Sequence, residues 1–519
     1  MRSFAIVAAA MMALCSSAAG AEISATVTLH LEKPGPRIAP EIFGQFSEQL
    51  GKGITDGIWV GEDSPIANVH GYRRDVVEAL KALHVPVLRW PGGCYADTYD
   101  WRDGIGPRSQ RPVTLNHWWG NNEERNAFGT NEYFNFAELI GARTFLSVNV
   151  GTGTAGEAKD WVEYVTSPSH SRLAQLRRAN GRDAPWHIDY AGIGNEAWGC
   201  GGNLTADQYA PLLRRFATFI RSDTGPKAVA VGPSADDYSW TETIMASHDK
   251  FDVLSLHYYT LPTGDWAKKG PATGFDKAQW LQTFAQTRRI EDMIAKHSAI
   301  MDRADPDKKV ALAVDEWGTW YDTPPGAPAL RQDNTLRDAL VAATNFNIFQ
   351  RHADRVRMAN IAQMVNVLQS VILTDGARMV RTPTYYAFQM YVPFQGSTAI
   401  PADIDSPQLE GGGSRLPALD VSAAAGANGD IFVALVNIDP DQDARISLDL
   451  GDGRYRRFSG QVLTAAAMDS QNQFGAVEAV KPQPFTAFKL APAGLTVTVP
   501  AKALVVLRIA KRLRRARST

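Results

Sequence analysis

Two glutamates in this sequence stand where a pair of carboxylates could share one reaction. Glu196 lies in Gly192-Ile-Gly-Asn-Glu-Ala-Trp-Gly-Cys-Gly-Gly202, and Glu316 in Val314-Asp-Glu-Trp-Gly-Thr-Trp-Tyr321. Each follows an apolar run and neighbours tryptophan. Cleaving a glycosidic bond needs one carboxyl to protonate the leaving oxygen and a second to attack the sugar or activate water. Asn195, beside Glu196, could hydrogen-bond the hydroxyl next to the reacting carbon, a contact that strengthens as charge develops there. Arg89 could hold a nucleophile ionised, because a nearby cation lowers a carboxyl pKa; a buried structural arginine is the alternative. His257 and Tyr259 sit two apart, a spacing that sends both side chains to one face of a strand. Trp317, Trp320 and the Trp118-Trp119 pair could offer flat faces to sugar rings, or simply pack. The ten histidines show no spacing of the His-Glu-x-x-His kind, so neither a metal nor another cofactor is expected. No Gly-x-Ser-x-Gly elbow is present, which counts against a serine esterase.

To meet, these residues need a common scaffold. Short apolar runs at 42–46, 85–90, 144–150, 188–194, 228–232, 253–258, 310–314 and 358–365 alternate with helical patterns at 73–83, 206–221, 278–296 and 335–350. Alternation implies parallel strands with helical crossovers, and eight strands imply a (β/α)8 TIM barrel, an α/β fold, over 40–390. The run ends deliver Glu48, Arg89 with Cys94, Asn149, Asn195 with Glu196, Ser234, His257 with Tyr259, Glu316, and Gln363 with Asn366. In a barrel those C-terminal strand ends converge on the face that carries the active site. The stretch 97–130 is long for a βα connection, as functional lids and subunit contacts are.

From 391 to 510 the pattern changes to alternating runs broken by Gly and Pro, which predicts a C-terminal antiparallel β-sandwich. The strand-like segment within 22–39 is assigned to the same sandwich. All 13 tryptophans stand at or before Trp320 and the last histidine is His352, so this domain is expected to be structural. A basic tail at 511–519 suits a solvated chain end.

Apolar residues make up 45% and charged residues 21%, the balance of a soluble globular protein, and a formal net charge of −2 argues against a nucleic-acid partner. Met1-Arg2-Ser3, an apolar run at 4–15 and Ala19-Gly20-Ala21 have the form of a secretory signal peptide over 1–21. Export to the periplasm or medium, without a membrane anchor, is the expectation. Cys94 and Cys200 would then remain; a disulfide at the active-site mouth and a free Cys94 thiol lining the pocket both fit.

Taken together, the motifs resemble glycoside hydrolase family 51, whose best-known members are α-L-arabinofuranosidases. The likeness runs through Phe43-Gly-Gln-Phe-Ser-Glu-Gln-Leu-Gly51, Gly57-Ile-Trp-Val-Gly-Glu-Asp63, Arg89-Trp-Pro-Gly-Gly-Cys94 and Tyr99-Asp-Trp-Arg-Asp-Gly-Ile-Gly-Pro107. It continues in Gly194-Asn-Glu196, Asp315-Glu-Trp317 and Ala359-Asn-Ile-Ala-Gln-Met-Val-Asn366, covering nearly the whole barrel. The resemblance implies a retaining double displacement with Glu196 as acid/base and Glu316 as nucleophile. It also implies that Glu48, Cys94, Asn195 and Gln363 bind the arabinofuranose, that Arg89, His257 and Tyr259 surround the glutamates, and that Trp320 stands at the pocket rim. Many members are oligomeric. Gly318 stands where many relatives have Asn, and others lack the Trp-Gly-Cys-Gly-Gly segment after Glu196.

The expected function is release of terminal α-L-arabinofuranosyl residues from arabinoxylan, arabinan or arabino-oligosaccharides. The same family also implies an alternative, an endo-β-1,4-glucanase or β-xylosidase. A non-catalytic carbohydrate-binding barrel is the alternative of another class, and the presence of both carboxylates speaks against it.

Overall fold

Eight strands close into a barrel: β1 (Gly44–Phe46), β2 (Val87–Trp90), β3 (Arg143–Val148), β4 (Tyr190–Ile193), β5 (Lys227–Ala230), β6 (Val253–Thr260), β7 (Ala311–Thr319) and β8 (Val356–Ile361). The computed structural model describes residues 22–511 apart from 223, 328–329, 412, 452–454 and 493. The expected leader, 1–21, and all but the first residue of the basic tail lie outside these residues. Each barrel strand pairs in parallel with the next, and β8 returns to β1. The strands are short apolar runs because both of their faces are covered, one by helices and one by the barrel interior. Val87, Phe145, Tyr190, Val229, Val253, Ala313 and Met358 fill that interior below the polar strand ends. The barrel is therefore plugged on one side and open to chemistry on the other.

The crossover helices begin where the sequence supplies caps. Thr154 with Glu157, Thr205 with Gln208, and Asp276 with Gln279 form capping boxes that satisfy the first backbone N–H groups. The helix expected at 278–296 extends over Lys277–Ala304, and β7 runs on past 314 to carry Glu316. Thr130–Ile140 and Ala155–Thr166 are additional helices that the apolar pattern left unassigned. Among the described residues, no helix is long and apolar enough to cross a membrane.

The second layer system is a sandwich of a five-stranded and a six-stranded sheet. Glu22–Leu29 belongs to the five-stranded sheet, antiparallel to Ala402–Asp405 and parallel to Asp443–Asp449. The apolar faces meet in a separate core that includes Val27, Val433, Ile446, Val497 and Val505. The barrel helix Leu336–Arg351 packs against the sandwich strand Leu419–Ala425. There the buried Asp420 accepts hydrogen bonds from Arg351, Arg288 and Asn347. Burial opposes its charge, but the Arg351 and Arg288 guanidiniums outweigh burial and hold its carboxyl below the usual range.

Candidate active site

Glu196 and Glu316 reach the mouth by different local devices. β4 ends at Ile193, and the backbone turns sharply so that Glu196 takes a left-handed φ of +39°. Asp97 fixes this turn. Its Oδ2 accepts the Asn195 amide at 2.7 Å while Oδ1 accepts those of Val150 and Gly151 at 2.7 and 2.9 Å. Gly201 must be glycine, because a Cβ there would lie 1.9 Å from the Asn195 carbonyl oxygen and 2.8 Å from Asp97 Oδ2. Gly92 is constrained likewise, with a left-handed φ and a Cβ that would sit 2.5 Å from the Glu48 side chain.

A β-bulge on β7 delivers Glu316 together with Asp315. Ser255 and His257 of β6 face Ala313 and Glu316 of β7, so β7 carries one extra residue over that stretch. The pairing with β8 slips in the same place, between Val314 and Trp317. A bulge breaks strict alternation and re-aims side chains. Adjacent residues Asp315 and Glu316 are thereby both turned to the polar cluster inside the barrel mouth.

The cluster is closely hydrogen-bonded. Arg89 Nη1 donates to Glu316 Oε1 at 2.8 Å and to the Asp315 carbonyl at 3.1 Å, while Nη2 donates to Asn195 Oδ1 at 2.5 Å. Its guanidinium lies over the Phe46 ring at 4.4 Å, which keeps water away from the pair. Tyr259 donates to Glu316 Oε2 at 2.7 Å. His257 Nδ1 lies 2.9 Å from Glu196 Oε1 and 3.6 Å from Glu316 Oε2, and its Nε2 lies 3.0 Å from Asp315 Oδ1. Burial opposes the charged ring, but the carboxylates of Glu316, Asp315 and Glu196 overcome it and raise the His257 pKa to about 10. Burial raises the pKa of Glu196, and the charge of Glu316 adds to the rise, while His257 acts against it.

One oxygen of Glu196, one of Glu316 and a ring nitrogen of His257 all lie within 4.8 Å of one another. Three such groups could ligate a cation. Here Arg89 and the charged imidazole already compensate the carboxylates.

Both glutamates line one cavity of about 470 Å³, together with Glu48, Cys94, Tyr259, Trp320 and Gln363. Glu48 Oε1 accepts from the Tyr95 amide at 2.9 Å and Trp119 Nε1 at 3.0 Å, and Oε2 accepts from Gln363 at 3.2 Å. Burial, helped by the nearby charge of Glu316, pushes its carboxyl up to about 7 despite these donors. Cys94 and Cys200 are joined in a disulfide with Cα atoms 5.4 Å apart, which decides between the bridge and the free thiol. The Cys200 sulfur lies 3.5 Å from Glu196 Oε2.

The ten residues expected at the site therefore converge, whereas other candidates do not. Trp317 is fully buried and packs on Phe346 and Phe349. Asn149 caps its own loop through Thr152 and Gly153, and Asn366 ties Thr374 to Lys52. The long loop after β2 contributes Trp119 to the cavity, while Trp118 faces solvent. Asp97, Asp315, Trp198 and Trp266 are site residues that sequence reasoning passed over. Asp315 carried a signal, its place beside Glu316, but alternation argues against two adjacent inward residues.

Two carboxylates facing one sugar-sized cavity on a (β/α)8 scaffold are the equipment of a glycoside hydrolase. Residues 79–279 match the alpha-L-arabinofuranosidase 1 domain, and residues 315–503 the alpha-L-arabinofuranosidase C-terminal domain. The chain is 45% identical over 516 residues to an intracellular exo-alpha-L-arabinofuranosidase of Bacteroides ovatus, covering 98% of this chain and 100% of that one. It superposes on the family 51 arabinofuranosidase of Xanthomonas axonopodis pv. citri with a TM-score of 0.93 and 48% identity, covering 94% of this chain and 100% of that one. The arabinose complex of the Thermotoga maritima alpha-L-arabinofuranosidase follows at a TM-score of 0.81 and 29% identity, with 94% and 99% covered. The chain belongs to glycoside hydrolase family 51, among the α-L-arabinofuranosidases. The expectation of export is corrected by the same comparison, since the full-length Bacteroides relative is named intracellular. That expectation rests on the composition of 1–21 alone, and an apolar run after a basic start does not by itself make an address.

Proposed function

We propose that the protein removes terminal α-L-arabinofuranosyl residues from arabinoxylan, arabinan or arabino-oligosaccharides by a retaining double displacement. The observation that carries this reading is the asymmetry of the two close carboxylates. Glu316 is buried and its two oxygens are held by the Arg89 guanidinium and the Tyr259 hydroxyl, which fix it in one position for attack. Glu196 is more open, with 18% of its side chain exposed against 7%, and its raised pKa favours the protonated form a general acid needs. One oxygen of each carboxylate lies within 4.8 Å of the other, which agrees better with the carboxyl separation of about 5–5.5 Å in retaining pairs than with that of about 6.5–9.5 Å in inverting ones and supports direct attack. Glu316 attacks the anomeric carbon as Glu196 gives its proton to the leaving oxygen. Glu196, now ionised, then takes a proton from the water that releases the sugar.

The arabinofuranosyl unit is held by Glu48, Gln363, Asn195 and the wall at Cys94. Gln363 Oε1 is buried without a hydrogen-bond partner among the described residues, an acceptor available to a sugar hydroxyl. The test compares an aryl α-L-arabinofuranoside, an aryl β-xyloside and a soluble cellulose derivative. Turnover confined to the cellulose derivative or the xyloside would refute the substrate assignment; NMR of the first-formed sugar reads retention directly.

The acid role carries a pH prediction. The His257 imidazolium favours the ionised form of Glu196, so His257→Gln removes a charge that holds the Glu196 pKa down. The alkaline limb of kcat/KM, where the acid loses its proton, is expected to move to higher pH in this variant. A limb that stays in place or moves to lower pH would contradict the assignment.

A further inference from the structure

The cavity continues beyond the two glutamates, and its outer wall contains an indole that the reaction so far leaves unused. Trp266 stands in the loop after β6, lines the same cavity as Glu196 and Glu316, and is 56% exposed. A large exposed aromatic at a cavity mouth is a surface awaiting a partner.

Its position is fixed. The Trp266 ring meets Trp320 edge-on at 5.2 Å, and Trp320 meets Tyr259 at 5.0 Å. Tyr259 in turn donates to Glu316, so an unbroken aromatic chain connects the lip to the carboxylate assigned to attack. Lys269 Nζ lies 6.0 Å from the Trp266 ring centre and 5.9 Å from that of Trp320, and it donates to the Trp266 carbonyl at 2.9 Å. Asp322, beyond β7, clamps the base of the loop by accepting the amides of Lys269 and Gly270 at 3.1 and 3.0 Å. The loop is thus held from both ends before any ligand arrives, and little ordering entropy remains to oppose stacking.

The surroundings specify what would stack there. The same cavity is also lined by Asp236, Gln286 and Arg289, and Arg289 and Asp236 approach to 3.9 Å while both remain half-exposed or more. Donors and acceptors beside a flat apolar ring match a sugar, which has C–H faces and a rim of hydroxyls.

We propose that Trp266 is the stacking platform for the first sugar on the leaving-group side of the scissile bond, a specificity-determining residue for oligosaccharide substrates. The proposal rests on the glutamate assignment above. Trp266 touches no reacting atom, so it acts on binding of the leaving sugar and not on cleavage itself.

The test measures kcat/KM of wild type, Trp266→Ala and Trp266→Phe on an arabino-oligosaccharide and on methyl α-L-arabinofuranoside, which has no ring beyond the bond. Trp266→Ala is expected to lose about tenfold or more on the oligosaccharide and to stay within about twofold of wild type on the methyl glycoside. Trp266→Phe is expected to recover most of the loss. Equal losses on both substrates would mark a structural role and overturn the proposal, as would an oligosaccharide rate unchanged in Trp266→Ala. A wild type inactive on both would instead overturn the arabinofuranosyl substrate reading, and this proposal with it.

Discussion

Replacing Glu316 by alanine is expected to lower turnover of an aryl α-L-arabinofuranoside by roughly 10,000-fold or more, the scale seen when a covalent nucleophile is removed. The loss should be chemical, because Glu316 sits on β7 in a hydrogen-bonded cluster and its core neighbour Trp317 is untouched. Circular dichroism and melting temperature separate the two causes. Removing the carboxylate deprives Arg89 of its Glu316 ion pair and leaves it the Asp315 and Asn195 contacts, so a lower melting temperature is expected alongside an intact fold. Added azide supplies the stronger test. A small anion occupying the vacated space attacks the anomeric carbon from the side Glu316 held, giving a glycosyl azide of inverted configuration. Azide product of retained configuration, or turnover near wild type without azide, would show that another group attacks.

Replacing Glu196 by alanine is expected to separate substrates by how much their leaving groups need a proton. On an oligosaccharide the loss should be roughly 100- to 10,000-fold, the usual worth of a positioned general acid. A dinitrophenyl arabinofuranoside departs as a stable anion and should form the glycosyl-enzyme far faster than the oligosaccharide does. Breakdown of that intermediate should then be slow, because in the proposed mechanism the same residue serves as base for water, and azide should accelerate it with retention. The alkaline limb of the pH profile should also disappear, since in the proposed mechanism the ionisation of Glu196 produces it. Equal losses on good and poor leaving groups would remove Glu196 from the acid role. The two variants together reverse each other's azide stereochemistry, which makes the role assignment hard to mistake.

Much of the scaffold was legible because barrel strands are buried on both faces and stand out as short apolar runs. All eight runs overlap observed strands, and the run ends named most of the residues that meet at the mouth, Asn149 and Asn366 excepted. Boundaries were less legible where polar function interrupts the pattern. β7 appeared to stop at 314 because Asp315 and Glu316 break its apolarity, although the strand continues to Thr319. Asp97 was invisible for a different reason: its role is to accept three backbone amides, and a carboxylate doing so resembles any loop aspartate in one dimension.

The sequence by itself determined the barrel, the sandwich, the two glutamates and the side-chain types around them, since periodicity and residue chemistry are local properties. Only the tertiary structure decided which glutamate lies against Arg89, because that contact joins β2 to β7 across 227 residues. It likewise decided that Cys94 and Cys200 are bridged, that the bulge on β7 turns Asp315 inward beside Glu316, and that Trp266 rather than Trp317 faces the cavity. Distance and direction between remote strands depend on packing of the whole barrel, and no short stretch of chain encodes them.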